Sequence, residues 1–198
     1  MNIFESIILG IIQGLTEFLP ISSSGHLVLG QYFLGINLDG ILLEVVLHLG
    51  TLFAILIYYK DDLKEIVLQA IQGDIDKQKY VLYIIIASIP IGYIGLFYGD
   101  FIEGFFILSI VILALFINGL ILASTFFLSN NSIRKLTFKI AFLIGIAQAF
   151  ALIPGISRSG ITISIALILG LKHIEAAKFS FFLAIPGLFG AGIIQVMN

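Results

Sequence analysis

The sequence predicts an all-α polytopic membrane protein, and three observations carry that prediction. Sixty per cent of the 198 residues are hydrophobic and only 11% are charged, too few charges to cover a water-facing surface, where about 25% is ordinary. Apolar stretches recur along the whole chain, and those at 41–59, 80–99, 105–128 and 177–197 reach the ~20 residues that a helix needs to cross a bilayer. Nine of the ten Lys and Arg residues fall in three connections, 60–79, 129–139 and 172–178, as the positive-inside rule requires of cytoplasmic loops. The same numbers exclude other classes. A net charge of −2 removes a nucleic-acid binder, and the lack of cysteine removes disulfides, thiolate metal sites and cysteine catalysis.

Taken in order, the first 59 residues hold no Lys or Arg, so no signal peptide is expected and Met1–Leu34 reads as mature structure. Residues 3–19 and 27–34 form a first helical hairpin around the polar turn PISSSGH (Pro20–His26). A span over 41–59 follows, then a solvated loop that includes KDDLKE (Lys60–Glu65) and 73–79. Two spans come next, joined by a loop at 99–104. Residues 138–153 and 161–171 form a second hairpin around PGISRSG (Pro154–Gly160), and His173 stands in a solvated turn before the last span. Tyr32, Tyr58, Tyr59, Tyr80 and Tyr98 fall near interfaces and read as an aromatic belt. The loops at 35–40 and 99–104 lack basic residues, so they and the N-terminus are placed outside. The parity closes only if each hairpin returns to the side from which it entered.

A shift of 135 residues superposes Gly10 on Gly145, Gln13 on Gln148, Ser22 on Ser157, Ser24 on Ser159 and Gly25 on Gly160. With opposite orientation, this is the trace of an inverted-topology repeat. The expected organisation is one membrane domain over 1–198. Its first repeat covers about 1–128 with hairpin 1–34, and its second, shorter repeat covers about 136–198 with hairpin 138–171. Two re-entrant hairpins would bring their tips together in mid-membrane, where irregular backbone survives only when buried in protein or lining a wet cavity.

The candidate chemistry lies at those tips. Glu17 is a carboxylate in an apolar segment and shares a helix face with Gln13, four residues earlier. Ser22, Ser23, Ser24, Gly25 and His26 open a helix; serine is an ordinary N-cap, and a helix N-terminus also binds anions. His26 adds a group that moves protons near neutral pH. Arg158 is the one basic residue outside the three connections, and its planar fork suits a phosphate or a carboxylate; the alternative is a salt bridge to Glu17 or Glu44. Ser157, Ser159, Gly160 and Thr162 surround it, as further donors or as helix caps. Glu44 and His48 stand four apart on the third element and face the same way, so they are expected to form a hydrogen-bonded pair; support of the site and simple exposure at the interface are the two readings.

QGLTEFLPISSSGHL and AQAFALIPGISRSGITIS resemble the two signature regions of the undecaprenyl-diphosphate phosphatase family of the bacitracin-resistance type. Gln13 and Glu17 match its first motif, Ser22 to His26 the Ser-Ser-x-Gly-His that follows, and Pro154, Gly155, Ser157, Arg158, Ser159 and Thr162 its second. LEVVLHLGT (Leu43–Thr51) and Ala177–Pro186 are similar too. Family members usually continue for about two further spans, so the second repeat is expected to be incomplete here.

The resemblance implies hydrolysis of a polyprenyl diphosphate to the monophosphate, which recycles the lipid carrier of cell-wall glycans. It implies an inner (plasma) membrane site opening to the outer face and support by a divalent metal, Mg²⁺ or Ca²⁺, with Glu17 as ligand. The partners are then the lipid and the membrane, with a homodimer left open. On this reading Glu17, Ser23, His26 and Arg158 do the chemistry, with Ser23 attacking and His26 or Glu17 as base, or with one of the two activating water instead. A secondary transporter or lipid flippase for an anionic substrate is the competing class, since inverted repeats and broken helices serve it equally well.

Overall fold

In the computed structural model, which describes residues 1–36, 42–126 and 134–197, helix is the only regular structure among the described residues. Short polar caps set many of its boundaries. α1 (Ile3–Thr16) starts on a capping box: Asn2 Oδ1 accepts from Glu5 N–H at 3.0 Å and the Glu5 carboxylate accepts from Asn2 N–H at 2.7 Å. α2 (Ser23–Leu34) is capped by Ser22 and ends at Gly35, whose φ of +66° is the left-handed stop that glycine supplies. α3 (Leu42–Tyr58) and α4 (Lys60–Ile71) meet at a bend of 71°. Asp74 accepts from the N–H groups of Asp76 and Lys77 to open α5 (Ile75–Phe97). α6 (Gly99–Glu103) is one short turn before α7 (Leu108–Phe126). α8 (Phe138–Ala149), capped by Thr137, runs on through a 3-10 turn at Phe150–Leu152. α9 (Arg158–Ile168) is capped by Ser157, and α10 (His173–Met197) carries Pro186 inside it.

Among the described residues three helices are long and apolar enough to cross a bilayer, Ile75–Phe97, Leu108–Phe126 and His173–Ile193; α3 passes the same test only together with α4. Their surfaces match that environment. Phe53, Ile85, Leu113 and Phe116 are all more than half exposed, a costly arrangement in water and the expected one in lipid. The chain is a multi-pass membrane protein.

Three expectations need correction. The segment 60–71 is helix α4, not a loop, and most of 73–79 is also helical, since α5 begins at Ile75 on its Asp74 cap. Leu63, Ile66, Val67 and Ala70 recur at helical spacing, and Asp61 and Asp62 sit favourably in the first turn. Residues 99–103 are likewise a helical turn. Tyr59 and Tyr80 are not belt residues. They turn inward and stack edge-on against Phe182, at 5.2 and 6.2 Å between ring centroids, while Tyr32, Tyr58 and Tyr98 stay exposed. Residues 37–41 and 127–133 lie outside the described residues, and with them most of the loop at 35–40 and the first half of the connection 129–139.

The main core lies between α5, α8, α9 and α10, around Ala87, Ile144, Ala166, Phe179 and Leu183. Its closest approach is at Gly145, where a Cβ would stand 2.5 Å from the Ala87 carbonyl oxygen, so the backbones of α8 and α5 touch. Gly145→Ala is therefore expected to destabilise the fold by about 1–3 kcal/mol, the usual range for overpacking a filled core. A fall in the thermal midpoint of the detergent-solubilised protein measures it.

Candidate active site

The two hairpin turns meet, and the sequence explains how closely. After α1 the chain turns through Glu17–Ile21 and re-enters helix at Ser22, whose φ of +68° is rare for a residue with a side chain. The second turn passes through Gly155, φ +106°, where a Cβ would stand 2.6 Å from the Val111 carbonyl oxygen on α7. Gly25 and Gly160 serve the same contact. A Cβ on Gly25 would come within 3.0 Å of Gly155 Cα, and one on Gly160 within 3.1 Å of the Pro20 carbonyl oxygen. Ser159 Oγ donates to the Leu19 carbonyl at 3.3 Å, from the second turn to the first.

The turns share local geometry as well as sequence. Ser22 Oγ accepts from Gly25 N–H at 3.3 Å and Ser157 Oγ from Gly160 N–H at 3.0 Å. Ser22 and Ser24 hydroxyls are 3.3 Å apart, and those of Ser157 and Ser159 3.1 Å. Each turn thus presents the N-terminus of a helix, α2 or α9, whose first N–H groups have no partner inside the helix.

Glu17 is the hub. It is 7% exposed. Its Oε1 pairs with Arg158 Nη2 from the opposite hairpin. Its Oε2 accepts from Ser23 Oγ at 2.5 Å and from Gln13 Nε2 at 3.1 Å, and lies 3.3 Å from His48 Nε2. One carboxylate oxygen therefore faces a serine hydroxyl, an amide and an imidazole, while the other faces a guanidinium with further N–H groups to offer an anion. Beside this cluster is a cavity of about 420 Å³. Its wall carries the polar residues Glu17, Ser22, Ser23, Ser24, Glu44, His48 and Ser157–Ser159 together with apolar ones such as Ile91, Leu96, Phe106, Leu152 and Leu188.

Not every candidate from the sequence arrives there. His26 turns its Nδ1 to the Ser22 carbonyl, 2.7 Å away and one turn back on its own helix, and is not in the cavity wall. Thr162 is fully buried; its Oγ1 donates to the Arg158 carbonyl at 2.7 Å and lies 2.7 Å from Ser180 Oγ on α10, so it fastens helices and does not face an anion. Glu44 and His48 do not pair side chain to side chain. His48 Nδ1 donates to the Glu44 backbone carbonyl at 2.5 Å, and the Glu44 carboxylate accepts from Gln31 Nε2 at 2.8 Å. Gln13 sits behind Glu17, with Thr51 Oγ1 at 3.5 Å as its second partner.

Sequence reasoning missed Asn118. This buried amide donates to the Pro20 carbonyl at 3.0 Å and accepts from Ser157 N–H at 3.0 Å, so one side chain on α7 clips both turns. The signal was available, since a lone amide inside the apolar run LFINGLIL is costly in lipid without partners. Asn118→Ala would leave the buried Ser157 N–H unpaired, worth about 1–3 kcal/mol, and the half-buried Pro20 carbonyl as well. The expected result is a clear drop in thermal midpoint, which Asn118→Asp, keeping the acceptor for Ser157 alone, reproduces only in part.

The family model described as "Bacitracin resistance protein BacA" matches residues 6–198. Curated relatives agree with it along the whole chain. An undecaprenyl-diphosphatase of Halothermothrix orenii is 44% identical, the match covering 100% of this chain and 76% of the relative. One of Caldicellulosiruptor bescii is 43% identical, covering 100% and 77%. Undecaprenyl-diphosphatase 1 of Bacillus licheniformis is 40% identical, covering 99% and 76%. With Glu17, Ser23 and Arg158 of the two signature regions gathered at one cavity, and with relatives matched from end to end, this chain belongs to the bacitracin resistance protein BacA family.

Proposed function

We propose that this chain hydrolyses a polyprenyl diphosphate, of the undecaprenyl class named in its relatives, to the monophosphate and inorganic phosphate. Family membership and the relatives' names support the activity. The observation that carries its assignment to this cavity is the Glu17 hub, which joins a serine hydroxyl and an arginine from opposite hairpins on one buried carboxylate. A diphosphate carries about three negative charges near neutral pH and cannot enter hydrocarbon unpaired. The Arg158 fork and the helix N-termini at Ser22 and Ser157 offer it donors, and the apolar residues of the same wall suit the start of the prenyl chain.

In this mechanism Ser23 Oγ attacks the terminal phosphorus and passes its proton to Glu17 Oε2. The bond between that phosphorus and the bridging oxygen breaks, and the lipid monophosphate leaves with the proton from Glu17, which restores the carboxylate. Water then attacks the phosphoserine with Glu17 as base; phosphate departs and Ser23 regains its hydrogen. Arg158 holds charge on the transferring phosphoryl throughout. His26, turned toward Ser22, shapes the helix N-terminus in this scheme, and Glu17 is the base.

A divalent cation fits as a partner shared with the diphosphate. Among the described residues no three His, Asp or Glu side chains cluster into a cage, and Mg²⁺ is commonly held by one or two carboxylates plus substrate phosphates. Glu17 is one such carboxylate, and Glu44, whose buried Oε2 has no hydrogen-bond partner, is a second on the same cavity wall. When bound, Mg²⁺ or Ca²⁺ would neutralise phosphoryl charge.

The same proposal covers topology. Helices α1 and α2, of 14 and 12 residues, would span about 21 and 18 Å, short of the ~30 Å hydrocarbon core. Asn118, which clips both turns, stands near the middle of the 19-residue α7. Both facts support re-entrant hairpins meeting at mid-depth in an inverted repeat. The ion pair of Lys178 with Asp62, at 2.7 Å, brings two basic connections to one end of the molecule, which supports a cytoplasmic end there. The N-terminus and the cavity mouth then face outward from the plasma membrane. The transporter alternative is not favoured, because carriage alone gives no role to a serine on a carboxylate.

The test is phosphate release from a polyprenyl diphosphate by the purified chain in detergent, where no gradient can drive transport. Release is expected with Mg²⁺ or Ca²⁺ and is expected to fall when EDTA removes them. A folded chain that moves lipid in vesicles yet releases no phosphate would replace this reading with the transporter.

A further inference from the structure

Two histidines lie near the turns, and only one of them touches the reacting cluster. His48 Nε2 is 3.3 Å from Glu17 Oε2, and the ring lies in the cavity wall. Its other nitrogen is anchored 2.5 Å from the Glu44 carbonyl, so the ring is held at both ends. The Glu44 side chain is itself tied to Gln31 on α2 at 2.8 Å, and Thr51 Oγ1 donates to the His48 carbonyl at 2.9 Å. A carbonyl and a carboxylate only accept hydrogen bonds, so the ring that satisfies both donates from each nitrogen.

Around Glu17 Oε2 stand Ser23 from α2, Gln13 from α1 and His48 from α3, and Arg158 from α9 occupies the other oxygen. The donors from α1 and α9 hold one carboxylate oxygen each. His48 adds a fixed contact from a further helix, α3, on the oxygen that faces Ser23.

From this geometry we infer that His48 is a positioning residue for the proposed phosphoryl transfer. It acts as a fixed hydrogen-bond donor that orients Glu17 toward the Ser23 hydroxyl, and it carries no proton between substrate and solvent. The inference rests on the phosphatase reading for its consequence, but not for the contact itself. It separates His48 from Glu44, whose carboxylate is held by Gln31 and braces α3 against α2. It also separates His48 from His26, which meets only its own helix.

The test has two arms on the full chain in detergent. In the first, ¹⁵N-histidine spectra are compared between wild type and Glu17→Gln. The His48 Nε2 resonance is expected to move while the His26 and His173 signals hold their positions; an unmoved His48 signal overturns the inference whether or not the protein is a phosphatase. In the second, phosphate release is measured for His48→Ala and His48→Gln. His48→Ala should lower kcat by about 10–100-fold, as loss of a residue that orients a reacting ligand does, with little change in KM. His48→Gln, whose amide can donate to Glu17 without titrating, should restore most of the lost rate. Full activity in His48→Ala overturns the inference, and so does a Gln variant as slow as the Ala variant, since that would make His48 a proton carrier. Absence of release from wild type would defeat the phosphatase reading instead, with the spectral arm still deciding the contact.

Discussion

Glu17→Gln should lower phosphate release by about 1,000-fold, within the 10²–10⁴ range for loss of a general base. The amide is nearly the same shape and can still meet Gln13 and Ser23, but it cannot take the serine proton. It also leaves Arg158 facing a neutral partner at a buried site, and breaking a buried pair on one side costs about 3–5 kcal/mol. A fall in activity alone would therefore be ambiguous. The double variant Glu17→Gln with Arg158→Gln removes both charges and should recover much of the lost thermal stability, because buried pairs are strongly coupled. It should not recover activity. If the double variant regained phosphate release along with its thermal midpoint, Glu17 would be a structural partner of Arg158 and the proposed base would be wrong.

Arg158→Lys should cost about 100–1,000-fold in kcat, the scale for removing one preorganised donor from a transition-state oxyanion. Lysine keeps the charge and can still reach toward Glu17, so the fold should lose little thermal stability. What it lacks is the planar fork, which can hold Glu17 Oε1 with one N–H group and a phosphoryl oxygen with another. Comparing kcat with the thermal midpoint separates the two roles. A Lys variant with wild-type turnover would show that Arg158 supplies only positive charge. A Lys variant that is both inactive and unstable would assign it to the fold.

The helical membrane class and the polar residues that meet at the cavity were legible in one dimension for distinct reasons. Membrane insertion depends on composition over a window of about 20 residues, which a sequence states outright. A carboxylate and an arginine in apolar surroundings are expensive, so Glu17 and Arg158 announce themselves without any knowledge of what they touch. The serines announce themselves as caps, and Ser22 and Ser157 do cap α2 and α9. Helix α4 reads wrongly as a loop because of its charged opening, although the spacing of Leu63, Ile66, Val67 and Ala70 is helical.

What the sequence by itself determined, then, was the environment of each segment, the order of the two polar turns and the residue types able to do phosphate chemistry. Only the tertiary structure decided which of them meet. Gln13 and Glu17 share a helix, so their contact follows from 3.6-residue periodicity; the pairing of Glu17 with Arg158 spans 141 residues and follows from no local rule. The choice between His26 and His48 was of the same kind. His26 is nearer to Ser23 in sequence, yet backbone geometry turns it back to the Ser22 carbonyl, while α3 packs against the first hairpin and delivers His48 to Glu17. Asn118 marks the limit most clearly: its cost in an apolar helix is written in the sequence, but its role as the clip between two turns exists only once three segments pack together.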